Sequence, residues 1–170
     1  MAELAVTAVG ADRPGIVAAV AKVLHERGGN VEDSAMTILG GHFAIVLIVA
    51  TDDDPDALRA ALEQGTGPLE LVISVSRAEG ERRPHEPTHL LSVYGADRPG
   101  IVAGVTAALA DLGANITDLE TQVIGRDEPV YAMVIEVVAD DEAALEDRLT
   151  SVCEELGVDH TLRTIEAETY

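Results

Sequence analysis

Apolar residues follow two different spacings along this chain, and the order of these spacings repeats once. Short runs rich in Val, Ile and Leu are typical of strands. In the first half, such runs cover residues 4–9, 30–39, 43–50 and 69–76. Over residues 14–27 and 55–64, apolar side chains instead recur every three or four positions, which is the spacing of one helix face. The first half therefore predicts the order β-α-β-β-α-β.

Glycine, aspartate and proline mark where these elements begin and end. Gly28 and Gly29 follow a basic last turn and end the first predicted helix. A second glycine pair at 40–41 predicts a tight turn between the second and third strands. Three aspartates and a proline at 52–55 predict a capped start for the second helix. The third strand is apolar throughout and is expected at the centre of the sheet, with the second strand at an edge.

The second half predicts the same six elements in the same order. They cover residues 89–94, 99–112, 115–124, 130–138, 141–156 and 158–165. We therefore expect a first domain over 1–77, a polar linker over 78–88 and a second domain over 89–170. Each domain should be an α+β, ferredoxin-like sandwich with a four-stranded antiparallel sheet and two helices on one face.

A nine-residue run, Gly-Ala-Asp-Arg-Pro-Gly-Ile-Val-Ala, occurs at positions 10–18 and again at 95–103. The offset of 85 is half of the 170-residue chain, and other residues keep it, such as Gly28 with Gly113 and Asp33 with Asp118. One module has therefore been duplicated. The rest of the two halves has diverged, so the identical run is where a shared function is expected.

Composition excludes several classes of protein. The formal net charge of −20 opposes binding to nucleic acid or to an anionic membrane, since both need clustered Lys and Arg. A single cysteine, Cys153, excludes an internal disulfide and a cysteine metal cluster, and its apolar neighbours predict a buried, inert thiol. No signal peptide is evident, and the longest apolar stretch is too short to span a bilayer, so we expect a cytoplasmic protein.

The repeated run predicts a turn that leads into a helix. Arg13 precedes a proline and should stay outside the helix, which places Pro14 at the first helical position. The N–H groups of Gly15, Ile16 and Val17 then have no partner within the helix and lie at its positive end. Such a site suits a carboxylate or another small anion.

Asp12 would repel an isolated carboxylate, but it suits a zwitterion, whose ammonium group it can bind. Asn30 begins the next strand, and its amide can serve either end of a zwitterion. Ordinary helix capping is the alternative explanation. Capping tolerates Ser, Thr, Asn or Asp, however, so full identity through both turns exceeds what capping requires.

Asp-Arg-Pro-Gly-Ile-Val followed by Gly-x-Asn-[Val/Ile]-x-Asp, on a β-α-β-β-α-β module, resembles the ACT domain, a regulatory module that binds amino acids. The resemblance covers both halves. Two copies without a catalytic domain resemble the group of glycine cleavage system transcriptional repressors. That resemblance implies a dimeric or larger regulatory protein that binds a small amino acid of the glycine or serine class and signals to a protein partner.

In the family, ligands commonly lie between the loop after strand one and the start of strand two, often where two modules meet. Carried over to this sequence, the resemblance implies two sets of ligand-binding residues. They are Gly10, Ala11, Asp12, Pro14, Gly15 and Asn30, and Gly95, Ala96, Asp97, Pro99, Gly100 and Asn115.

Two other functions remain open. An interaction scaffold would need no ligand, because exposed edge strands pair readily with other strands, and a homo-oligomer formed through sheet edges or helices is expected in either case. An enzyme would need a nucleophile or an acid–base pair in a cleft. None of the five histidines repeats between the halves, and helix capping explains the aspartate runs. We therefore predict no catalytic residue, no metal and no cofactor.

Overall fold

A computed structural model describes residues 2–79, 86–125 and 127–165 of the chain. It divides into two compact units, Met1–Glu81 and Arg82–Tyr170, which are called module 1 and module 2 below. Part of the predicted linker, residues 80–85, lies outside the described residues, as do residues 166–170. The boundaries expected for the domains and the linker therefore stay a prediction.

Module 1 has the predicted order of elements. They are β1 (Ala2–Ala11), α1 (Ile16–Glu26), β2 (Asn30–Leu39), β3 (His42–Thr51), α2 (Pro55–Gly65) and β4 (Val72–Arg77). The sheet has the strand order β2-β3-β1-β4 with antiparallel neighbours. The apolar third strand is central and the second strand is an edge, as predicted.

Module 2 repeats this architecture. Its elements are β5 (His89–Ala96), α3 (Ile101–Asp111), β6 (Asn115–Ile124), β7 (Val130–Val138), α4 (Glu142–Leu156) and β8 (Val158–Thr164). The sheet has the strand order β6-β7-β5-β8. The α+β, ferredoxin-like fold expected from the sequence is confirmed for both modules.

The fourth strand of module 1 begins at Val72, three residues later than its apolar sequence predicts. A short 3-10 helix, Gly67–Leu69, precedes it, and Glu70 adopts a left-handed conformation with φ of 52°. The chain pairs with β1 only after this bend. Apolar residues before Val72 therefore pack against the core from outside the sheet.

Each module has a core of its own between one sheet face and its two helices. Alternate strand residues enter the core because successive side chains point to opposite faces of a sheet. In module 1 the buried residues include Leu4, Val6, Ala8, Ile16, Val20, Leu24, Ile45, Leu47, Val49, Leu58 and Leu62. In module 2 they include Leu91, Val93, Ile101, Val105, Leu109, Met133, Ile135, Leu145 and Leu149.

Cys153 lies in the core of module 2, where the sequence places an inert thiol. Burial raises the pKa of this thiol, and the nearby carboxylates of Glu146 and Asp159 raise it further. The thiol is therefore kept in its unreactive, protonated form.

The strand register fixes which residues share an end of the sheet. Both β1 and β2 run antiparallel to β3, so they are parallel to each other. Ala11 and Leu39 both pair with His42 at one end of the module. At the other end, Glu3 and Asn30 both pair with Ala50.

Candidate ligand site at the repeated turn

The repeated turn ends in a glycine with a left-handed backbone, and the helix begins one residue after it. Gly15 is the N-cap of α1 with φ of 92°, and Gly100 is the N-cap of α3 with φ of 96°. The prediction that Pro14 and Pro99 occupy the first helical position is therefore wrong. Positive φ is strongly disfavoured for other residues, which accounts for glycine at both positions.

The later start of the helix changes which backbone groups are free. The first hydrogen bond within α1 runs from the Ala19 N–H to the Gly15 carbonyl at 2.9 Å. No side chain caps α1 or α3. The N–H groups without a partner inside the helix are therefore those of Ile16, Val17 and Ala18, one position beyond the set expected from the sequence.

Both helix starts are open at their glycine. Among the described residues, a Cβ atom built at Gly15 or at Gly100 would meet nothing within 4 Å. A cleft of about 260 Å³ lies over the start of α1. It is lined by Asp12, Arg13, Gly15, Ile16, Val17, Ala18, Met36, Ile38 and Phe43.

The sequence did not point to the apolar wall of this cleft. Met36 and Ile38 lie near the end of β2, and each is about half exposed. Phe43 is buried and pairs with Gly10. These residues become neighbours of the turn only through the register of β1, β2 and β3, a long-range feature that no local pattern shows.

Asp12 combines an exposed carboxylate with a fixed backbone. Its N–H donates a 2.9 Å hydrogen bond to the carbonyl of Gly41, in the turn between β2 and β3. Asp97 occupies the same place in the second copy of the run and is also exposed. In module 1, an exposed aspartate and the first residues of α1 therefore line the same cleft, which suits the ammonium and carboxylate of a zwitterion.

The arginine of the repeated run was not predicted to belong to the site, and its contacts explain its identity structurally. Arg13 Nη2 lies 3.4 Å from Glu70 Oε2, and Arg13 Nη1 lies 3.5 Å from the carbonyl oxygen of Pro68. In module 2, Arg98 lies over Gly157, where an added Cβ would come within 3.1 Å of its Nη1. In each module the arginine side chain therefore lies beside the residues that precede the fourth strand.

Gly10 and Gly95 also have a structural reason to be glycine. A Cβ at Gly10 would lie 2.8 Å from Leu71 Cδ2, and a Cβ at Gly95 would lie 3.0 Å from Val158 Cγ1. Ala11 and Ala96 follow them as the last residues of β1 and β5. These four predicted site residues lead up to the turn, and the close packing on the fourth strand is enough to account for the two glycines.

Within one module the structure does not bring the predicted asparagine to the turn. Asn30 pairs with Ala50, which also pairs with Glu3 near the start of β1. Glu3 and Ala11 are eight residues apart, about 26 Å along a strand. Asn115 is placed in the same way, opposite Val138 at the far end of β7. A role for either asparagine in ligand binding stays a prediction.

The other groups considered for chemistry have structural partners. His89, which opens β5, is buried, with Nδ1 2.7 Å from Thr88 Oγ1 and Nε2 3.7 Å from Glu142 Oε2. Asp54 caps α2 by accepting hydrogen bonds from the N–H groups of Asp56 and Ala57. The capping predicted for the first aspartate run is therefore confirmed.

Within the described ranges, no three or more His, Cys, Asp or Glu side chains are grouped so that they could hold a metal ion. None of the helices in the same ranges has the length and apolar character needed to cross a membrane.

Comparison with known proteins gives the family. The ACT domain model matches residues 3–76 and again residues 88–163. The glycine cleavage system transcriptional repressor of Escherichia coli is 27% identical over 170 residues, covering 95% of this chain and 90% of the repressor. A UPF0237 protein of Methanopyrus kandleri is 36% identical over 88 residues, covering half of this chain and 98% of that protein.

Two crystal structures match the fold over nearly the full chain. An unknown protein from Galdieria sulphuraria is 33% identical, with a TM-score of 0.82 and coverage of 97% of this chain and 99% of that one. A candidate glycine cleavage system transcriptional repressor is 22% identical, with a TM-score of 0.75 and coverage of 98% of both chains. The chain belongs to the ACT domain family, with two ACT domains in tandem, and is related to the glycine cleavage system transcriptional repressors.

Proposed function

We propose that this regulatory protein binds a small amino acid of the glycine or serine class at its repeated turns. The observation that carries the proposal is the cleft over the start of α1, which is lined by Asp12 and by residues 16–18, whose N–H groups have no partner inside the helix. A helix N-terminus favours the ligand carboxylate, and Asp12 favours its ammonium group.

The size of the cleft fits this class of ligand. At about 260 Å³ it lies below the range of about 300 to 1,000 Å³ that is common for drug-sized ligands. A very small ligand gains at most about 1.5 kcal/mol per heavy atom, so glycine, with five, cannot bind more tightly than about micromolar. Micromolar to millimolar affinity suits a sensor of cellular amino-acid pools.

The residues that line the cleft of module 1 differ from those at the equivalent positions of module 2. Matching the registers of the two sheets places Thr121, Val123 and Tyr131 where module 1 has Met36, Ile38 and Phe43. The wall in module 2 therefore carries two hydroxyl groups that module 1 lacks. The two turns need not prefer the same amino acid.

The signal is proposed to reach a protein partner in the cytoplasm. The relative from Escherichia coli is named a transcriptional repressor, which by likeness suggests that this chain also acts in the control of transcription. The net charge of −20 opposes direct contact with DNA, so a partner protein would have to make that contact.

Melting temperatures measured with each of the twenty amino acids test the proposal. A ligand that binds the native state raises the melting temperature by mass action, and a small amino acid is expected to do so. If none raises it, the amino-acid proposal fails and an interaction scaffold without a ligand is the better explanation.

A matched pair of double variants locates the binding. Gly15→Ala with Gly100→Ala places two methyl groups over the free helix N–H groups. Gly28→Ala with Gly113→Ala makes the same change at two other open positions of positive φ, at the far ends of α1 and α3. Both variants should lose about 1–2 kcal/mol of stability per site, but only the first should weaken ligand binding, by about tenfold or more.

The asparagines are tested separately. If Asn115 binds the ligand, Asn115→Ala should weaken binding by about 1.5–3 kcal/mol in calorimetry, the worth of a hydrogen bond to a charged group. The same change at Asn30 reports on the other module. Unchanged affinity in both variants would remove the asparagines from the site and leave the turn as its only proposed part.

A further inference from the structure

The same left-handed bend precedes the fourth strand of both modules, but a different residue forms it in each. The strand registers make Glu70 equivalent to Gly157. Glu70 ends the 3-10 helix with φ of 52° and ψ of 44°, and Gly157 ends α4 with φ of 65° and ψ of 40°. Glycine is the usual residue at such a helix end, because a side chain strains this conformation. Among the described residues, Glu70 is the only one other than glycine with a positive φ.

The side chain of Glu70 contacts the arginine of the repeated run. Its Oε2 lies 3.4 Å from Nη2 of Arg13, and the two side chains are 79% and 44% exposed. An ion pair that is this long and this exposed stabilises a fold by less than the left-handed backbone of a glutamate costs. Stability therefore does not account for a glutamate at this position, which leaves its charge beside Arg13 as the property to explain.

The equivalent arginine of module 2 has no such carboxylate beside it. Arg98 is exposed, and its guanidinium lies over Gly157, where an added Cβ would be 3.1 to 3.8 Å from three of its atoms. Among the described residues, Arg98 forms no hydrogen bond and no ion pair. The two copies of the run therefore carry the same arginine, paired with a carboxylate in module 1 and without one in module 2.

We propose that Arg98 makes the turn of module 2 selective for an amino acid with a second carboxylate in its side chain, such as aspartate or glutamate. The inference rests on the proposed function, in which the start of α3 binds the main carboxylate of the ligand and Asp97 binds its ammonium group. Arg13 lines the cleft of module 1, so the arginine of the run borders the space that the ligand would occupy. A guanidinium binds a carboxylate through charge-assisted hydrogen bonds.

The charge of the protein makes a local cation necessary for such a ligand. An amino acid with two carboxylates is a net anion, and a chain with a net charge of −20 repels it. In module 2, Arg98 offsets this repulsion at the turn. In module 1, the ligand would have to displace Glu70 from Arg13 and remain close to its negative charge. Module 1 should therefore accept amino acids with uncharged side chains.

Calorimetry of the full chain with aspartate and with asparagine tests the proposal, because these ligands have the same size and differ in charge. The wild type is expected to bind aspartate about tenfold more tightly, since a hydrogen bond between two charged groups is the stronger one. Arg98→Gln should remove this preference. Arg163→Gln is the matched control, because it removes the same charge from an exposed residue of β8 that pairs with Leu90, far from the turn. It should leave the preference within about twofold of the wild-type value.

A second pair of variants changes the charge beside Arg98 and not the arginine itself. Gly157→Glu recreates in module 2 the pair that module 1 has, while Gly157→Gln imposes the same backbone strain without the charge. The preference for aspartate should be lost in Gly157→Glu and should stay within about twofold in Gly157→Gln. If the strained variants fold poorly, Arg98→Gln still decides, because it alters only an exposed side chain.

Three results would overturn the proposal. They are equal affinity of the wild type for aspartate and asparagine, a preference that survives Arg98→Gln, and an equal loss of preference in the two variants of Gly157. Glycine and serine separate this inference from the proposed function. If either binds the wild type while aspartate has no advantage over asparagine, amino-acid binding stands and only the role of Arg98 fails. If no amino acid binds, both fail.

Discussion

Two glycines of the repeated run differ in what surrounds them, and the difference should be measurable. An added Cβ at Gly10 meets the end of the Leu71 side chain, which can rotate away. An added Cβ at Gly95 meets Val158 at Cγ1, at Cα and at Cβ, at 3.0 to 3.3 Å. A β-branched residue in a strand can neither rotate freely nor shift without moving its backbone.

We therefore expect Gly95→Ala to cost about 1–3 kcal/mol of stability through overpacking and Gly10→Ala to cost less than about 1 kcal/mol. Urea unfolding monitored by circular dichroism measures both. Equal losses of stability would show that both fourth strands make room for the added methyl group equally well. Close packing would then not explain the glycine in module 2.

At the residue scale, the identity of the two copies of the repeated run has several structural causes. The positive φ of Gly15 and Gly100 requires glycine, and close packing on the fourth strand explains Gly10 and Gly95. Contacts with the loop before β4 explain Arg13. Among the described residues, the side chains of Asp12 and Asp97 form no hydrogen bond or ion pair that would explain the aspartate structurally. The case for a ligand at residue level therefore depends most on this aspartate.

Among the elements, the end of α1 is tied to the start of α2 by one ion pair. Arg27 Nε and Nη2 each donate a 2.7 Å hydrogen bond to a different carboxylate oxygen of Asp53. The hydrogen bonds from Arg27 lower the pKa of Asp53. A carboxyl whose pKa is lower in the folded state stabilises the fold above its unfolded pKa and loses that effect as the pH falls through its folded value.

The expected result is that Asp53→Asn lowers the melting temperature at pH 7 and that the difference from wild type shrinks progressively in acid, below about pH 4. Glu63→Gln is the control, because Glu63 pairs with Arg59 on the exposed surface of α2, where such pairs contribute little. A difference that stays constant down to about pH 2 would assign the effect of Asp53 to something other than its charge.

Much of the element pattern could be predicted from sequence, and the misses have physical causes. β2 was predicted with its observed bounds because a helix-ending glycine pair precedes it and a second pair at 40–41 ends it. The start of the first helix was predicted at Pro14, because proline is common at the first helical position. The helix begins at Ile16 instead, because Gly15 takes a left-handed conformation. The apolar residues before Val72 resemble a strand, yet a 3-10 helix and a bend precede it.

The candidate site was harder to predict, because it depends on register. Asn30 follows α1 directly in sequence, but the parallel course of β1 and β2 carries it to the far end of the module. Met36 lies much further along the chain from the turn and yet lines the cleft. Separation along the sequence therefore does not tell which residues are close in space, because the pairing of the strands determines it.

For the whole molecule, charge is the dominant feature. A net charge of −20 on a chain of 170 residues makes each compact unit repel itself, and salt should relieve part of that repulsion. Raising sodium chloride from about 0.02 to about 0.5 M at pH 7 should therefore raise the melting temperature by a few degrees.

The control uses the isoelectric point of about 4.3. Near that pH the net charge vanishes, and the same salt step should have little effect on the melting temperature. If the rise is equal at both values of pH, it comes from salting out of apolar surface and not from screening.

The lone cysteine gives this molecule a native chemical reporter. Its thiol is sealed in module 2 and held protonated, so a disulfide reagent can attack it only after that half opens. The rate of labelling therefore measures how often module 2 opens, and it carries no signal from module 1, which has no cysteine. A metabolite that slows the labelling would thereby be shown to bind module 2, without any engineered probe.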